Sequence, residues 1–258
     1  PAVMKKSKVY LISLAVLLLA CPGVSEAADQ ARSPSTIEPV RREGGHLKYF
    51  NEINKRLDQG NVDLLFIGDS ITASWLGRGK AVWDVYYAHR EAVNLGRSGE
   101  RTQHVLWQLD HLHVARIAPK LAVVLIGTNN VRTNSAEEIA EGITRIVKGL
   151  RAILPKTRIL LMAIFPRGPN NDDPERQIVE KANRIIAKLA DGESVIFMDL
   201  RDRFLKPDGT PTSLLRSDLV HITPEGYRVW AEAIEPVVSK TLGPLPNAKS
   251  KRDSGDSR

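Results

Sequence analysis

The sequence predicts an α/β fold: a three-layer α/β/α sandwich around a parallel sheet of about five strands. Three observations predict it. Five short apolar runs are spread along the chain, amphipathic helical stretches fill the gaps between them, and the connections are short. Strands that alternate with helices pair in parallel, because each crossover helix returns the chain to the same end of the sheet. Helices then cover both faces, so the strands read as continuous apolar runs rather than alternating ones.

The elements follow in order. Lys5, Lys6 and Lys8 precede an apolar run over residues 9–21, then Pro22-Gly23 and the small-x-small triplet Ser25-Glu26-Ala27. Residues 1–28 are therefore expected to be a signal peptide, cleaved after Ala27 or Ala28, and the protein to be exported, periplasmic or extracellular. The run is short for a membrane span. The alternative is lipidation. Leu18-Leu19-Ala20-Cys21 resembles a bacterial lipobox, although Leu19 and Pro22 suit it poorly, and only a lipidated Cys21 would attach the protein to a membrane. Cys21 is the only cysteine, which excludes an internal disulfide. Residues 29–45, polar and carrying Pro34 and Pro39, read as a linker.

The domain is expected over residues 46–243. A first helix is placed at 46–57. Strands are placed at 62–67, 92–95, 121–126, 158–164 and 195–198. Ser135 with Glu138 forms a capping box. After it Ile139, Ile143, Ile146, Val147, Leu150 and Leu154 share one helical face, as do Ile178, Ala182, Ile185, Ile186 and Leu189 in the next helix. Thr223-Pro224 is an N-cap followed by a favoured first residue, and this last helix should run to about Lys240, before Gly243 and Pro244. Residues 244–258 read as a disordered tail. The whole is a flavodoxin-like arrangement, in which sites form at the carboxyl ends of the strands.

Charge narrows the partners. The formal charge is +7, but residues 1–28 and 244–258 each contribute +2, leaving +3 for the rest. No basic stripe interleaves with aromatics, so a nucleic-acid partner is not expected. His46, His89, His104, His111 and His113 have no companion carboxylate at useful spacing, and no metal is expected. No phosphate-cradling glycine motif is present, which argues against a nucleotide-binding protein of this fold and against a cofactor. Trp75, Trp83, Trp107 and Trp230 read as core or pocket wall rather than a sugar platform.

Four segments fall where a site should form. Gly68-Asp69-Ser70 follows the first strand: a tight turn would expose the Ser70 hydroxyl, and a helix start offers free N–H groups to an oxyanion. Asn94-Leu95-Gly96-Arg97 follows the second strand, and Gly127-Thr128-Asn129-Asn130 the third. Asp218-Leu219-Val220-His221 precedes the last helix, with a spacing that lets the carboxylate fold back onto the imidazole. Each alone also reads as an ordinary cap or turn. Together they supply the right residue types in the right order at the right strand ends.

This pattern resembles the four blocks of the SGNH (GDSL-type) hydrolases over residues 60–240. Thr102-Gln103-His104-Val105-Leu106-Trp107, Gly127-Thr128-Asn129-Asn130 and Pro166-Arg167-Gly168 are most like the branch formed by the catalytic subunits of intracellular platelet-activating factor acetylhydrolase. The resemblance implies a serine esterase that works through an acyl-enzyme. Ser70 would be the nucleophile, His221 the base and Asp218 its orienting carboxylate. The Ser70 and Gly96 N–H groups and the Asn129 side chain would form the oxyanion hole. Asp69 would shape the turn. Ile71, Thr128 and Val220 match positions beside the acyl group; all are β-branched and stiff, implying a small acyl group, most simply acetyl. The export signal and the cationic Arg97 beside the oxyanion glycine depart from that branch. The expected substrate is accordingly an acetylated carbohydrate, with an acetylated lipid or lysophospholipid as the alternative. A catalytically silent binding protein on the same fold is the remaining class, and the intact Ser70, Asn129, Asp218 and His221 speak against it.

Overall fold

Five parallel strands form one sheet in the order β2-β1-β3-β4-β5. The strands are β1 (Leu64–Gly68), β2 (Ala92–Asn94), β3 (Leu121–Leu125), β4 (Arg158–Met162) and β5 (Val195–Met198). The computed structural model describes residues 35–42 and 46–246, without the side chains of residues 46 and 47. The expected signal peptide with Cys21, and residues 247–258 of the expected tail, lie outside the described residues.

The helices are α1 (His46–Asp58), α2 (Ser70–Ala73), α3 (Lys80–Tyr86), α4 (Thr102–His111), α5 (Ala136–Ile153), α6 (Pro174–Ile186), α7 (Arg201–Phe204) and α8 (Pro224–Leu242). None among the described residues is long and apolar enough to cross a membrane. Register is simple: Leu64 pairs with both Ala92 and Leu121, Leu121 with Arg158, and Ile159 with Val195. Every residue of β1 and β3 is buried, as expected for central strands covered on both faces. The strand period of two divides them between two cores. Leu65, Ile67, Ala122 and Val124 join the first with residues of α1, α4, α5 and α6. Leu64, Phe66, Leu121 and Val123 join the second with residues of α3 and α8. Trp75, Trp83 and Trp230 are buried in that second core. Trp107 is half-buried and stacks on His111.

The expected strands are each present: β5 has the expected limits, β1 starts two residues later and ends one later, and β2, β3 and β4 end one or two residues early. The Ala163 N–H still donates to Met198 O (2.8 Å), and the Leu95 N–H to Phe66 O (2.8 Å). The capping box of α5 is formed: the Ser135 N–H donates to Glu138 Oε2 (2.7 Å) and the Glu138 N–H to Ser135 Oγ (3.2 Å). Thr223 Oγ1 caps α8 by accepting from the Gly226 N–H (3.2 Å).

Three expectations need correction. Ile178, Ile185 and Leu189 pack against the core as expected, but from its half-exposed edge; the fully buried face of α6 is Arg176, Val179, Ala182 and Ile186. An apolar count places the stripe but not its centre, and the Arg176 guanidinium takes a buried position because it donates to the Arg167 carbonyl (2.7 Å) and to the carbonyls of Gly168 and Gly209.

The expected linker is not a free tether over residues 35–42. Thr36 is fully buried, and its carbonyl accepts from Thr102 Oγ1 (3.0 Å). The Val40 N–H donates to Gln103 O (3.1 Å) and Asn134 Nδ2 to Ser35 Oγ (3.0 Å). Gly142 on α5 leaves room for this strap, since a Cβ there would lie 2.9 Å from Thr36 O. Polar composition marks a segment without helix or strand; it cannot separate a free segment from one whose backbone bonds the domain. At the far end of the strap Arg42 bonds Ser98 O, in the loop after β2.

Two histidines do have carboxylate neighbours, supplied across the fold or along a helix. His113 Nδ1 lies 2.7 Å from Asp58 Oδ1, and His104 Nδ1 lies 3.7 Å from Glu100 Oε2. No cluster of three metal-ligating side chains occurs among the described residues.

Candidate active site

β1 ends in Gly68, where a Cβ would lie 2.2 Å from Leu125 O, so only glycine lets β1 and β3 approach this closely at the nucleophile turn. Asp69 then caps α2, its Oδ1 accepting from the Ile71 N–H (2.9 Å). Ser70 is the first helical residue, and its own N–H has no acceptor among the described residues, as helix geometry dictates for the first turn. From the far end of the chain, Tyr227 on α8 donates its hydroxyl to Ile71 O (2.6 Å). The closing helix is thereby tied to the turn that carries the serine.

The loop before α8 folds on itself. The Arg216 N–H donates to His221 O (2.8 Å) and the Leu219 N–H to Arg216 O (2.9 Å), with Leu219 at φ 56°. That left-handed residue is what turns the carboxylate back. Asp218 Oδ1 accepts from the His221 N–H (2.8 Å) and the Val220 N–H (3.1 Å), and its Oδ2 lies 3.1 Å from His221 Nδ1. On the other side of the ring, His221 Nε2 lies 2.8 Å from Ser70 Oγ. Burial pushes the Asp218 carboxyl up, but the backbone N–H groups and the imidazole outweigh it and leave it below the usual carboxylate range. A carboxylate has no proton to give, so the imidazole proton sits on Nδ1 and Nε2 is free to accept from the serine hydroxyl. Ser70, His221 and Asp218, which the sequence singled out, form one hydrogen-bonded chain.

Of the two further candidates for the oxyanion hole, Gly96 departs from expectation and Asn129 does not. Gly96 lies close to α2, where a Cβ would meet Ala73 N at 2.4 Å, which explains the glycine. Its N–H, however, donates to Asn94 Oδ1 (2.7 Å), while Asn94 Nδ2 donates to Thr72 O (2.8 Å). The single N–H of Gly96 is thus committed to a neighbouring side chain. Asn129 stands on the turn after β3 and gives one amide proton to Glu100 O (2.8 Å), which anchors the side chain and leaves its second proton available.

The cleft beside the imidazole has a volume of ≈ 460 Å³ and is lined by Thr128, Asn129, Val220, Asp218, His221 and the loop residues around them. Of the expected pocket residues, Thr128 and Val220 line it. Ile71 does not: it is buried in the second core. Arg97 does not either: its guanidinium lies 3.5 Å from Glu100 Oε1 and over the Tyr49 ring, 5.5 Å from the centroid. An anionic and an aromatic partner close at hand outcompete the cleft for that cation.

Two buried carboxyls support the site from below. Burial raises Asp69 to about 7, against the Ile71 N–H that favours its charged form, and burial raises Glu100 to about 7, against Arg97 and Arg42. The folded state therefore holds protons that the unfolded chain has released, and stability falls as pH rises from about 4 to about 7. Asp69→Asn keeps an oxygen for the Ile71 N–H, so thermal melts across this window should show a shallower decline than the wild type. An unchanged slope would refute the buried proton on Asp69.

The sequence placed Asn94 in the second segment without showing its bond to Gly96, and it missed Glu100 and Arg216. Arg216 Nη1 donates to Asp218 Oδ2 (3.0 Å), the oxygen that faces the imidazole. Neither Glu100 nor Arg216 belongs to a residue pattern with a chemical meaning in the sequence analysis, and the contacts of all three are recognised only through their neighbours.

Comparison with known proteins agrees with this geometry. Residues 66–229 match the family model described as the GDSL-like lipase/acylhydrolase family. The chain is 28% identical over 233 residues to subunit alpha1 of platelet-activating factor acetylhydrolase IB from Mus musculus, covering 87% of this chain and 99% of that one. The alpha2 subunit from Homo sapiens is 29% identical over 223 residues, covering 86% and 96%. Among solved structures, a putative acylhydrolase from Bacteroides fragilis aligns with TM-score 0.63 at 18% identity, covering 78% of this chain and all of that one. An acetylxylan esterase from Geobacillus stearothermophilus aligns with TM-score 0.54 at 21% identity, covering 71% and 95%. With the family match spanning the turn of Ser70 through the loop of His221, the chain belongs to the GDSL-like lipase/acylhydrolase family and is a carboxylic ester hydrolase.

Proposed function

We propose that the protein is an exported serine esterase that removes short acyl groups, acetyl above all, from a polar alcohol such as a carbohydrate. The hydrogen-bonded chain Ser70–His221–Asp218 carries the reading. Ser70 Oγ attacks the acyl carbonyl while His221 Nε2 takes its proton. Asp218 holds the Nδ1 proton and stabilises the imidazolium. The developing oxyanion is met by the Ser70 N–H and the free amide proton of Asn129, a kind of contact worth about 3 kcal/mol in the transition state. Gly96 contributes only if its N–H leaves Asn94. His221 then protonates the departing alcohol, the acyl-serine forms, and a water activated by the same imidazole releases the acid.

The character of the cleft supports the polar alcohol. Val220 is its one aliphatic side chain among the described lining residues; the others are arginine, asparagine, threonine, aspartate, histidine and glycine. A lipid tail would gain little by burial there. The names of the acetylhydrolase relatives support the small acyl group. Export rests on the basic, apolar and small-residue pattern of residues 1–28.

Two measurements test this. Across 4-nitrophenyl esters, kcat/KM should fall from acetate to octanoate, by roughly tenfold or more if a pocket wall rejects the longer chain. Equal turnover of octanoate refutes the small acyl group. Acetate release should be faster from acetylated xylo-oligosaccharides than from an uncharged acetylated lipid such as a long-chain alkyl acetylglycerol; the reverse order favours a lipid ester.

A further inference from the structure

The positive charge of the cleft is not balanced within it. Arg101, Arg132 and Arg167 all line it, beside Asn129 and His221. The Arg167 side chain is 8% exposed and held in the wall: Nη1 donates to Thr128 O (2.8 Å) and Oγ1 (3.0 Å), and Nη2 pairs with Glu175. Arg132 Nε donates to the same Glu175 (3.0 Å), so one carboxylate serves two guanidiniums. Asp218, the only carboxylate among the lining residues, is shared between His221 and Arg216. Arg101 is half-buried at the start of α4, and its guanidinium has no carboxylate partner among the described residues.

A guanidinium that lines the cleft without a carboxylate among the described residues offers five N–H donors in a planar fork. A carboxylate or phosphate oxygen fits that fork with charge-assisted hydrogen bonds, roughly twice as strong as those to a neutral hydroxyl. The surplus charge also draws anions toward the imidazole before contact. Arg132, with a side chain 76% exposed, stands on the same cleft wall as a second cation for such a ligand.

We infer that the cleft selects esters whose alcohol portion carries an oxyanion, a carboxylate or a phosphate, held by Arg101 with Arg132 beside it. This deepens the esterase reading and rests on it. It narrows the substrate to an acetylated acidic glycan or an acetylated phosphate-bearing alcohol.

The test uses matched acetyl esters. One pair is acetylated methyl glucuronoside against its neutral uronamide; the other is acetylated glycerol phosphate against acetylated glycerol. At low ionic strength, kcat/KM should favour the anionic member of one pair by about tenfold or more, and the advantage should shrink as salt is added. The pair that responds identifies the source of the oxyanion. Arg101→Gln should bring the ratio near one through a raised KM for the anionic ester, and Arg101→Lys should restore part of it. Melting curves separate this from misfolding. A wild-type ratio near one in both pairs, with neutral esters still hydrolysed, overturns the anion preference and leaves the esterase reading intact. A ratio that survives Arg101→Gln overturns the assignment to Arg101. Failure to hydrolyse any of these esters, 4-nitrophenyl acetate included, overturns both.

Discussion

Ser70→Ala should lower kcat for 4-nitrophenyl acetate by a factor of about 10⁴ to 10⁶, with the fold intact. In the chain Ser70–His221–Asp218 the serine hydroxyl, 2.8 Å from His221 Nε2, is the group placed with a base in reach to form an acyl-enzyme. Removing it leaves an oxyanion site with no nucleophile to use it. His221→Ala should cost a similar amount, and the double variant little more, because the two act as a unit. Asp218→Asn should cost less, about 10³- to 10⁴-fold, since its main effect is the wrong imidazole tautomer. A phosphonate probe should label the wild type and leave Ser70→Ala unlabelled. Retained hydrolysis by Ser70→Ala, or losses that multiply in the double variant, would reject the triad.

Gly68→Ala should destabilise the protein by several kcal/mol and abolish activity in whatever fraction folds. The added carbon would lie 2.2 Å from Leu125 O and 2.2 Å from Thr72 Oγ1. The side chain could rotate, but the carbonyl belongs to β3 and cannot yield without parting the two central strands. Overpacking of this kind costs about 1–3 kcal/mol even where side chains can adjust, and the contact here is with backbone. For a domain of this size that corresponds to a fall in Tm of roughly 5–15 °C. The more informative readout is activity per folded molecule, because any relief of the clash moves the turn of Ser70 away from His221. A variant with wild-type Tm and kcat would mean that β1 and β3 do not approach as described.

The strap of residues 35–42 adds a second layer of control. It reaches from α5 to the loop of Gly96, where Arg42 bonds Ser98 O and lies 4.0 Å from Glu100. Glu100 in turn presents its carbonyl to Asn129. The segment that leads into the domain therefore supports the loop between two of its functional blocks.

The amino-acid sequence by itself determined the strand-helix alternation, the capping of α5 and α8, and the identity of Ser70, His221 and Asp218. These are local properties: a run of buried strand residues, a cap three residues from its partner, an Asp and a His three residues apart in one loop. The tertiary structure alone decided what each polar group bonds. It committed the Gly96 N–H to Asn94, turned Arg97 onto Tyr49 and Glu100, sank Ile71 into the core, and left Arg101 lining the cleft without a carboxylate partner among the described residues. The physical reason is one of scale. A guanidinium or an amide chooses among partners that differ by about 1 kcal/mol, and those partners arrive from distant parts of the chain only once the sheet and its helices are assembled.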